Sequence, residues 1–370
     1  MRILHLSKYY PPEPGGIEHI VACQAEGAQS AGHDVTVVCG AGPGKAGPES
    51  IEELRGVRVV RLPTYAVIWS QPIIKGYLKH SASSADIVHV HHPNPLADIA
   101  ALTRVTAPVV ITHHSDVRRQ RLIRPFYMPL VRAVHRKASA IAVPTRSHVT
   151  ISNELRGFED KCHIIPFGVD EARFSPGEVE RPAPFGAFGD RPVGLFVGRL
   201  ANYKGLDVLV NAVRGTELAV VIVGAGELGR WLEQKIKRLG VESNVSLAGA
   251  VSARELPDYY RAAAYFVLPS TTPAEMFGVC LAEAMACGTP IITTALKTGV
   301  REVNAPGEVG LEVQPGDATG LREAMEKLAG DSALRREMGL KARKRVEDRF
   351  TLRGMIDAHL RLYTEILSAA

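Results

Sequence analysis

Residues 268–292 constrain the fold more than any other part of the chain. This stretch begins with the end of an apolar strand that Pro269 stops, continues through a polar loop, and enters helix-forming residues at 281–286. Gly288 has the position of a C-terminal helix cap, and Pro290 blocks any continuation before the next apolar run. The order strand, loop, helix, strand is typical of an α/β fold with a parallel sheet.

Two carboxylates in this stretch, Glu275 and Glu283, lie on either side of the start of the predicted helix. The free N–H groups of a helix N-terminus attract anions. Carboxylates beside an anion site can hold the hydroxyl groups of a ligand that also carries phosphate. A sugar nucleotide is such a ligand.

The E-x7-E spacing, in the setting EMFGVCLAEAMACGTP, resembles the signature of retaining glycosyltransferases of family 4. The resemblance implies an α/β GT-B fold, in which two Rossmann-like, doubly wound domains face each other across a cleft. It also implies that Glu275 holds the donor sugar and that Glu283 holds the ribose. Further donor contacts are expected from the turn formed by Phe277, Gly278 and Val279.

A second motif, G-R-L-x3-K-G, follows the apolar run 193–197 and comprises Gly198, Arg199 and Lys204. Two cations on a loop at the end of a strand can hold a pyrophosphate group. The motif resembles the donor-phosphate motif of the same family, so Arg199 and Lys204 are expected to hold the donor diphosphate beside Gly198.

The glycines at 224–229 match G-x-G-x-x-G between a strand and a helix, which makes an NAD-dependent oxidoreductase an alternative. A dinucleotide site also needs an acidic residue at the end of the next strand, and residues 244–252 contain none. We therefore interpret these glycines, Gly226 among them, as allowing the loop to approach a nucleotide.

Near the N-terminus, Gly15 and Gly16 separate the first strand from a helix predicted at 17–31, and they would let backbone approach a phosphate. The segment THHSD resembles the family segment whose histidine faces the donor sugar and the acceptor. We align His114 with that histidine and keep His113 as the alternative. The histidines at two strand ends also suggest a zinc site as a hypothesis. Neither H-x-H-H nor H-H-S-D, however, supplies a closed set of zinc ligands.

Residues 118–137 carry seven Arg or Lys residues and no acid, interleaved with apolar residues. Arg118, Arg119 and Arg121 are predicted to contact the acceptor or an anionic membrane surface. The alternative is a solvated helix with a packed inner face.

The net charge of +5 suits a phosphate-bearing ligand, and it is not the charge pattern of a nucleic-acid-binding protein. The five cysteines are scattered without C-x-x-C, which predicts reduced thiols in the cytoplasm. With neither a signal peptide nor a membrane span expected, the predicted location is cytoplasmic, at most peripheral to the inner face of the membrane.

The domain prediction is an N-terminal acceptor-binding domain at 1–172, a linker at 173–191 and a C-terminal donor-binding domain at 192–350. The linker is predicted from its Pro and Gly content. By resemblance, the helix in 351–370 packs back onto the N-terminal domain.

The predicted activity is retaining transfer of a sugar from a nucleotide-diphosphate sugar to a hydroxyl of a glycan or lipid-linked glycan, in polysaccharide biosynthesis. His114, Arg199, Lys204 and Glu275 are the catalytic candidates. The donor is a GDP- or UDP-sugar, with GDP-mannose type favoured. No D-x-D occurs, so neither an essential metal nor a cofactor is expected. Retention could proceed by front-face attack or through an enzyme nucleophile, and the sequence does not decide between these mechanisms. A GT-B-like sugar-nucleotide epimerase is an alternative activity.

Overall fold

A computed structural model describes residues 1–68, 71–82, 84–117 and 124–369. The chain divides into two compact units. Unit 1 comprises residues 1–167 together with the C-terminal residues from 352 onward, and unit 2 comprises residues 168–351. Across the described residues, none of the helices has the length and apolar character that a bilayer crossing requires.

The helices and strands alternate along both units. Up to residue 164 they are β1 (Arg2–Leu6), α1 (Gly16–Ser30), β2 (Asp34–Gly40), β3 (Ser50–Leu54), β4 (Val57–Leu62), β5 (Thr64–Ile68), β6 (Gln71–Ile74), α2 (Tyr77–His80), β7 (Ile87–His92), α3 (Pro95–Thr103), β8 (Val109–His113), α4 (Arg124–Lys137), β9 (Ala140–Val143), α5 (Arg146–Ile151) and β10 (Cys162–Ile164). From residue 183 they are α6 (Ala183–Gly186), β11 (Val193–Val197), α7 (Leu206–Ala212), β12 (Ala219–Val223), α8 (Gly229–Leu239), β13 (Val245–Gly249), α9 (Leu256–Ala262), β14 (Tyr265–Leu268), α10 (Val279–Ala286), β15 (Ile291–Thr294), α11 (Gly299–Asn304), β16 (Gly310–Val313), α12 (Ala318–Gly330), α13 (Ser332–Arg349) and α14 (Leu352–Ala369).

The sheet of unit 2 has the order β13-β12-β11-β14-β15-β16 with every pairing parallel. This is the strand order of the Rossmann fold. Its central strands are short continuous apolar runs because helices bury both faces of a parallel sheet, and β12 and β14 are buried throughout. The order reverses between β11 and β14. The loops that follow these two strands therefore lie at the point where open α/β sheets bind ligands.

The main sheet of unit 1 has the order β10-β9-β8-β7-β1-β2-β4-β3, parallel except for the edge pair β3–β4. Its order reverses between β1 and β7, which brings the ends of these strands and of β8 together. The C-terminal helix α14 packs on α1 inside this unit, and Gly27 permits the approach: a Cβ there would lie 2.1 Å from Cδ1 of Ile356.

The Pro- and Gly-rich segment 173–191 belongs to unit 2 in the structure. The guanidinium of Arg261 donates to the carbonyls of Arg173 and Ser175 at 3.0 and 2.8 Å, and Phe185 of α6 is fully buried. This segment is thus held by specific contacts to α9 as well as by its own short helix.

Candidate active site

The loop after β11 carries two cations with different surroundings. Lys204 ends a 3-10 turn, Asn202–Lys204, and its side chain is buried, whereas the side chain of Arg199 is 62% exposed. Arg199 Nη2 lies 3.1 Å from Glu227 Oε2. An exposed ion pair of this kind contributes little to stability, so Arg199 can change partner at low cost.

Lys204 forms a buried ion pair with Glu275, with Nζ 2.6 Å from Oε2. Ser270 Oγ donates to the same carboxylate oxygen at 3.0 Å. Burial alone would lower the pKa of Lys204, but the Glu275 carboxylate outweighs it and the net direction is upward. Lys204 therefore stays a cation at any working pH, and the two groups predicted to act on the donor form one preorganised unit.

Neighbouring loops at the sheet reversal bring this pair together. Thr271 N–H donates to the Tyr203 carbonyl at 2.8 Å, which ties the loop after β14 to the loop after β11. Gly205 has φ +69°, and a Cβ there would lie 1.9 Å from the Pro269 carbonyl oxygen. A larger residue at position 205 would push the two loops apart. The glycine that follows the lysine in the motif is therefore required by the packing of the loops.

Glu283 lies inside α10, as the sequence predicted; it is the fifth residue of that helix and is half-buried. Tyr260 donates its hydroxyl to Glu283 Oε2 at 2.7 Å from a fully buried ring. Sequence reasoning did not single out Tyr260, which lies 23 residues before Glu283 in the chain. The bond from Tyr260 fixes the orientation of the Glu283 carboxylate, which can then accept hydrogen bonds from ligand hydroxyl groups.

The turn before α10 presents backbone rather than side chains. Gly278 is the N-cap residue with φ +74°, and Phe277 is buried with its ring at the edge of the Phe350 ring, 5.8 Å between centroids. Any donor contact from Phe277 would thus come from its backbone. Val279 opens the helix.

The glycine-rich loop after β12 packs on the loop after β11. A Cβ on Gly224 would lie 1.9 Å from the Gly198 carbonyl oxygen, and one on Gly226 would lie 2.5 Å from that of Leu200. Leu200 N–H also donates to the Ala225 carbonyl at 3.0 Å. Both glycines are needed for this loop-to-loop approach, which explains them without a bound nucleotide.

The same loop follows the second strand of its sheet, since β12 comes after β11 in the unit. A dinucleotide fingerprint belongs to the turn after the first strand. That position is occupied here by the loop of Arg199 and Lys204. The location of the glycines therefore argues against an NAD site.

In unit 1, Gly15 and Gly16 lie at the start of α1, which runs Gly16–Ser30 instead of the predicted 17–31. The Glu18 carboxylate folds back over Gly15, where an added Cβ would lie 1.9 Å from Oε2. Lys8, two residues after the end of β1, was not identified from the sequence. Burial lowers its pKa to about 8 against the opposing influence of Glu18 and Asp98.

Histidines fill both faces of the unit 1 sheet at the ends of β1, β7 and β8. His5 is the register partner of His89, and His91 is the partner of Thr112. Because side chains alternate along a strand, one face carries His5, His89, His91 and His114, which we call the imidazole face. The opposite face, which we call the carboxylate face, carries His92 and His113 together with Glu154, Asp98 and Asp116.

The imidazole face holds no carboxylate partner for its rings among the described contacts. His114 Nε2 lies 3.2 Å from His91 Nδ1, and His91 Nε2 lies 3.0 Å from His5 Nδ1. His89 bonds to Tyr363 and Thr112, at 2.5 and 2.7 Å. Burial lowers the pKa of His5 and of His114 to about 3 in each case. These rings are therefore neutral.

On the carboxylate face, Glu154 Oε2 lies 3.1 Å from His92 Nε2 and 3.3 Å from His113 Nε2. Burial would lower the pKa of His92, but Asp98 and Glu154 raise it to about 9. Burial would raise the pKa of Glu154, but hydrogen bonds from His113 and His92 lower it. This face is therefore charged and internally paired.

Both faces contain trios of side chains close enough to share a metal ion, such as His5, His89 and His91. The three rings of that trio are nearly parallel, with interplanar angles of 14–29°. Nitrogen lone pairs lie in the ring planes, so nearly parallel rings do not converge on a tetrahedral ion. The geometry of this trio suits hydrogen bonding instead.

His113 and His114 are thus on opposite faces. His113 is fully buried and bonds to His148 at 2.8 Å, while His114 keeps 7% exposure and stacks on Phe167. The geometry favours His114 over His113 as the histidine that meets a ligand. The predicted acceptor or membrane residues Arg118, Arg119 and Arg121 lie outside the described residues.

The chain matches two glycosyltransferase family models, one over each half of its length. Residues 180–345 match the model described as glycosyl transferases group 1, and residues 14–173 match the model of glycosyltransferase family 4. The chain is 30% identical, over 100% of both chains, to the O-antigen chain mannosyltransferase C of Escherichia coli. The chain belongs to the group 1, family 4 glycosyltransferases.

Two further comparisons agree. The D-rhamnosyltransferase WbpZ of Pseudomonas aeruginosa is 30% identical over 95% of this chain and 92% of its own. A sucrose-phosphate synthase of Thermosynechococcus elongatus superposes with a TM-score of 0.83 at 22% identity, covering both chains fully. The GT-B fold, with two Rossmann-like units that have parallel sheets, and the glycosyltransferase activity predicted from the sequence are confirmed.

Proposed function

We propose that this glycosyltransferase moves a mannose-type sugar from a GDP-sugar to a hydroxyl of a glycan or lipid-linked glycan, with retention of anomeric configuration and without an essential metal. The observation that carries the proposal is the buried Lys204–Glu275 pair at the reversal of the unit 2 sheet. Two relatives aligned over almost the whole chain are named for mannosyl and D-rhamnosyl transfer. A third is named a GDP-mannose-dependent phosphatidylinositol monomannoside mannosyltransferase.

The residues have distinct roles in this proposal. Lys204 and Arg199 neutralise the charge that develops on the departing nucleoside diphosphate, and the start of α10 adds backbone N–H donors. Glu275, held by Lys204 and Ser270, accepts hydrogen bonds from hydroxyl groups of the donor sugar. Glu283 accepts hydrogen bonds from the hydroxyl groups of the ribose. His114 contacts the transferred sugar.

Metal independence is proposed because the diphosphate already has two cations and the chain has no D-x-D. A metal–diphosphate complex would need a carboxylate grip. Each cation already has an acid beside it: Lys204 neutralises Glu275, and Arg199 pairs with Glu227.

The first test is a thermal-shift panel with GDP, UDP, ADP, dTDP, CMP and NAD, each with magnesium and with EDTA. A ligand that binds only the folded state raises the melting temperature. We expect a shift with GDP that EDTA does not remove. A shift with UDP alone would show that the donor is a UDP-sugar and not a GDP-sugar. A shift with NAD alone would contradict the proposed nucleotide-sugar site.

The second test is turnover of GDP-mannose with a glycan or lipid-linked acceptor, followed by NMR of the new linkage. An α-linked product from the α-configured donor is expected. A β-linked product would exclude retention, and loss of turnover in EDTA would exclude metal independence.

Association with an anionic membrane is part of the proposal. The acid-free stretch 118–137 supports it, as does the 82% exposure of Phe126 in α4. Lys137 does not contribute, because its ammonium donates to the carbonyls of Ala101 and Val105. Sedimentation with anionic vesicles at low salt should carry the protein down, and Arg132→Glu/Arg136→Glu should weaken this. Absence of binding would remove the membrane from the proposal.

A further inference from the structure

The imidazole face contains an unbroken line of three rings that ends at His114. His114 Nε2 faces His91 Nδ1 at 3.2 Å, and His91 Nε2 faces His5 Nδ1 at 3.0 Å. The last nitrogen of the line, His5 Nε2, is enclosed and has no hydrogen-bond partner among the described residues. His5, His91 and His114 come from β1, β7 and the residue after β8, which are adjacent in the sheet.

A neutral imidazole has one N–H donor and one lone-pair acceptor, so the direction of one hydrogen bond dictates that of the next. Only two arrangements satisfy both bonds of the line. In the first, every ring carries its proton on Nδ1: His5 donates to His91, His91 donates to His114, and His5 Nε2 is a lone pair. In the second, every ring carries its proton on Nε2, and His5 Nε2–H is a buried donor with no acceptor.

The unpartnered nitrogen selects between these arrangements. A buried N–H group without an acceptor is rarer and costlier than an under-satisfied acceptor. The first arrangement is therefore favoured, and it leaves His114 with its proton on Nδ1. That nitrogen has no partner within the described residues, and it is not one of the fully enclosed polar atoms.

We propose that His91 and His5 are positioning residues that hold the proton of His114 on Nδ1, so that His114 offers a hydrogen-bond donor to the transferred sugar. This rests on the proposed function in that His114 is taken to contact the sugar. The backbone N–H of His114 donates to the His92 carbonyl at 3.0 Å, and the ring stacks on Phe167, so both the backbone and the ring of His114 are held in place. The line of imidazoles fixes which nitrogen carries the proton.

The chemical consequence concerns the charge of the site. Burial keeps the His114 ring neutral at working pH. A neutral N–H can hold a sugar oxygen without placing a full positive charge beside an anomeric carbon that becomes electron-poor. The opposite tautomer would present a lone pair and could only accept.

The decisive experiment is ¹⁵N NMR of the histidine-labelled full-length protein at neutral pH, with the His114 signals assigned by difference from His114→Ala. We expect the Nδ1–H tautomer at His114 in the unsubstituted protein. Finding Nε2–H there would overturn the inference without any further variant.

Variants of His91 then test whether the line maintains that tautomer. His91→Leu breaks the line and should release His114 to the Nε2–H form, with kcat lowered about tenfold and KM for the donor little changed. His91→Gln can accept from His5 and donate to His114, so it should restore the tautomer and most of kcat. His89→Gln is the matched control: it lies in the same stack but bonds to Tyr363 and Thr112, and it should leave both readouts unchanged.

The outcomes separate the inference from the proposed function. If His114→Ala retains full activity, the role of His114 at the sugar is wrong, whatever tautomer NMR reports. If His114→Ala loses activity but His91→Leu changes neither the tautomer nor kcat, the positioning role is wrong and the proposed function stands.

Discussion

The polar centres of the two units solve different electrostatic problems. In unit 2, Lys204 and Glu275 are opposite charges 2.6 Å apart, and both are buried. In unit 1, the imidazole face buries His5, His91 and His114 as neutral rings. A permanent charge pair suits a charged diphosphate, whereas neutral rings suit hydroxyl groups. The first centre depends on which residues are charged, and the second depends on where single protons reside.

The largest expected effect comes from breaking the charge pair. Glu275→Leu or Lys204→Met leaves one buried charge without its partner, which should cost about 3–5 kcal/mol of stability. Activity should fall by about 10²–10³-fold, as for the loss of one preorganised group. Urea unfolding and GDP-mannose turnover measure the two effects.

The double variant Lys204→Met/Glu275→Leu separates stability from chemistry. An apolar pair should recover most of the stability and none of the activity. Lys235→Met, which removes a lysine that lies over the Trp231 ring in α8, should leave turnover unchanged. A double variant with near-normal turnover would show that the pair is structural only.

On the carboxylate face, Glu154→Gln should lower the free energy of unfolding by about 3 kcal/mol or more, because it removes the charge that two buried histidines face. Glu49→Gln is the control in the same unit, since Glu49 pairs with His80 at the surface and its loss should cost under about 1 kcal/mol. Equal losses in the two variants would contradict the charged description of this face.

The two faces should also differ in pH dependence. On the imidazole face, the pKa values of His5 and His114 are both lowered to about 3, so below about pH 6.5 the unfolded chain binds protons that the folded chain excludes. Stability should fall on acidification by up to about 1.4 kcal/mol per pH unit for each such group. Urea unfolding between pH 7 and pH 5 measures this slope.

His92 has the opposite sign. Its folded pKa is raised to about 9, so its contribution is complete below about pH 6.5 and is lost as the pH rises through 9. His92→Gln should flatten the alkaline limb and leave the acid limb in place. A variant that flattened the acid limb instead would reverse the assignment of the two faces.

The smallest stability change is expected for Arg199, whose pair with Glu227 is exposed. Arg199→Ala should cost under about 1 kcal/mol, yet it should lower turnover if the guanidinium moves to the donor diphosphate. Unchanged turnover would leave Lys204 as the main cation of the site.

Much of the fold was predictable because its signals are local. The apolar run at 193–197 and the strand expected before the glycines at 224–229 are both strands in the structure, β11 and β12, and Gly288 and Pro290 marked the end of α10 correctly. Glu283 lies inside α10 as predicted. The ends of a helix could be predicted here because the capping and helix-breaking residues are adjacent to it in the sequence. The tertiary contacts of these residues could not be predicted from the sequence. Tyr260 is far from Glu283 in the chain, and only the packing of α9 beside α10 brings the hydroxyl to the carboxylate.

The sequence alone determined the glycosyltransferase family, the alternation of strands and helices, and the residues predicted to contact a sugar nucleotide. Tertiary structure decided which of them meet. It paired Lys204 with Glu275 through two loops at the sheet reversal, explained Gly224 and Gly226 by loop contact, and separated His113 from His114. The physical reason is that strand order is set by long-range pairing, which brings β1, β7 and the end of β8 side by side and lets their histidines form one line of hydrogen bonds. Within each strand, side-chain alternation places sequence neighbours on opposite faces.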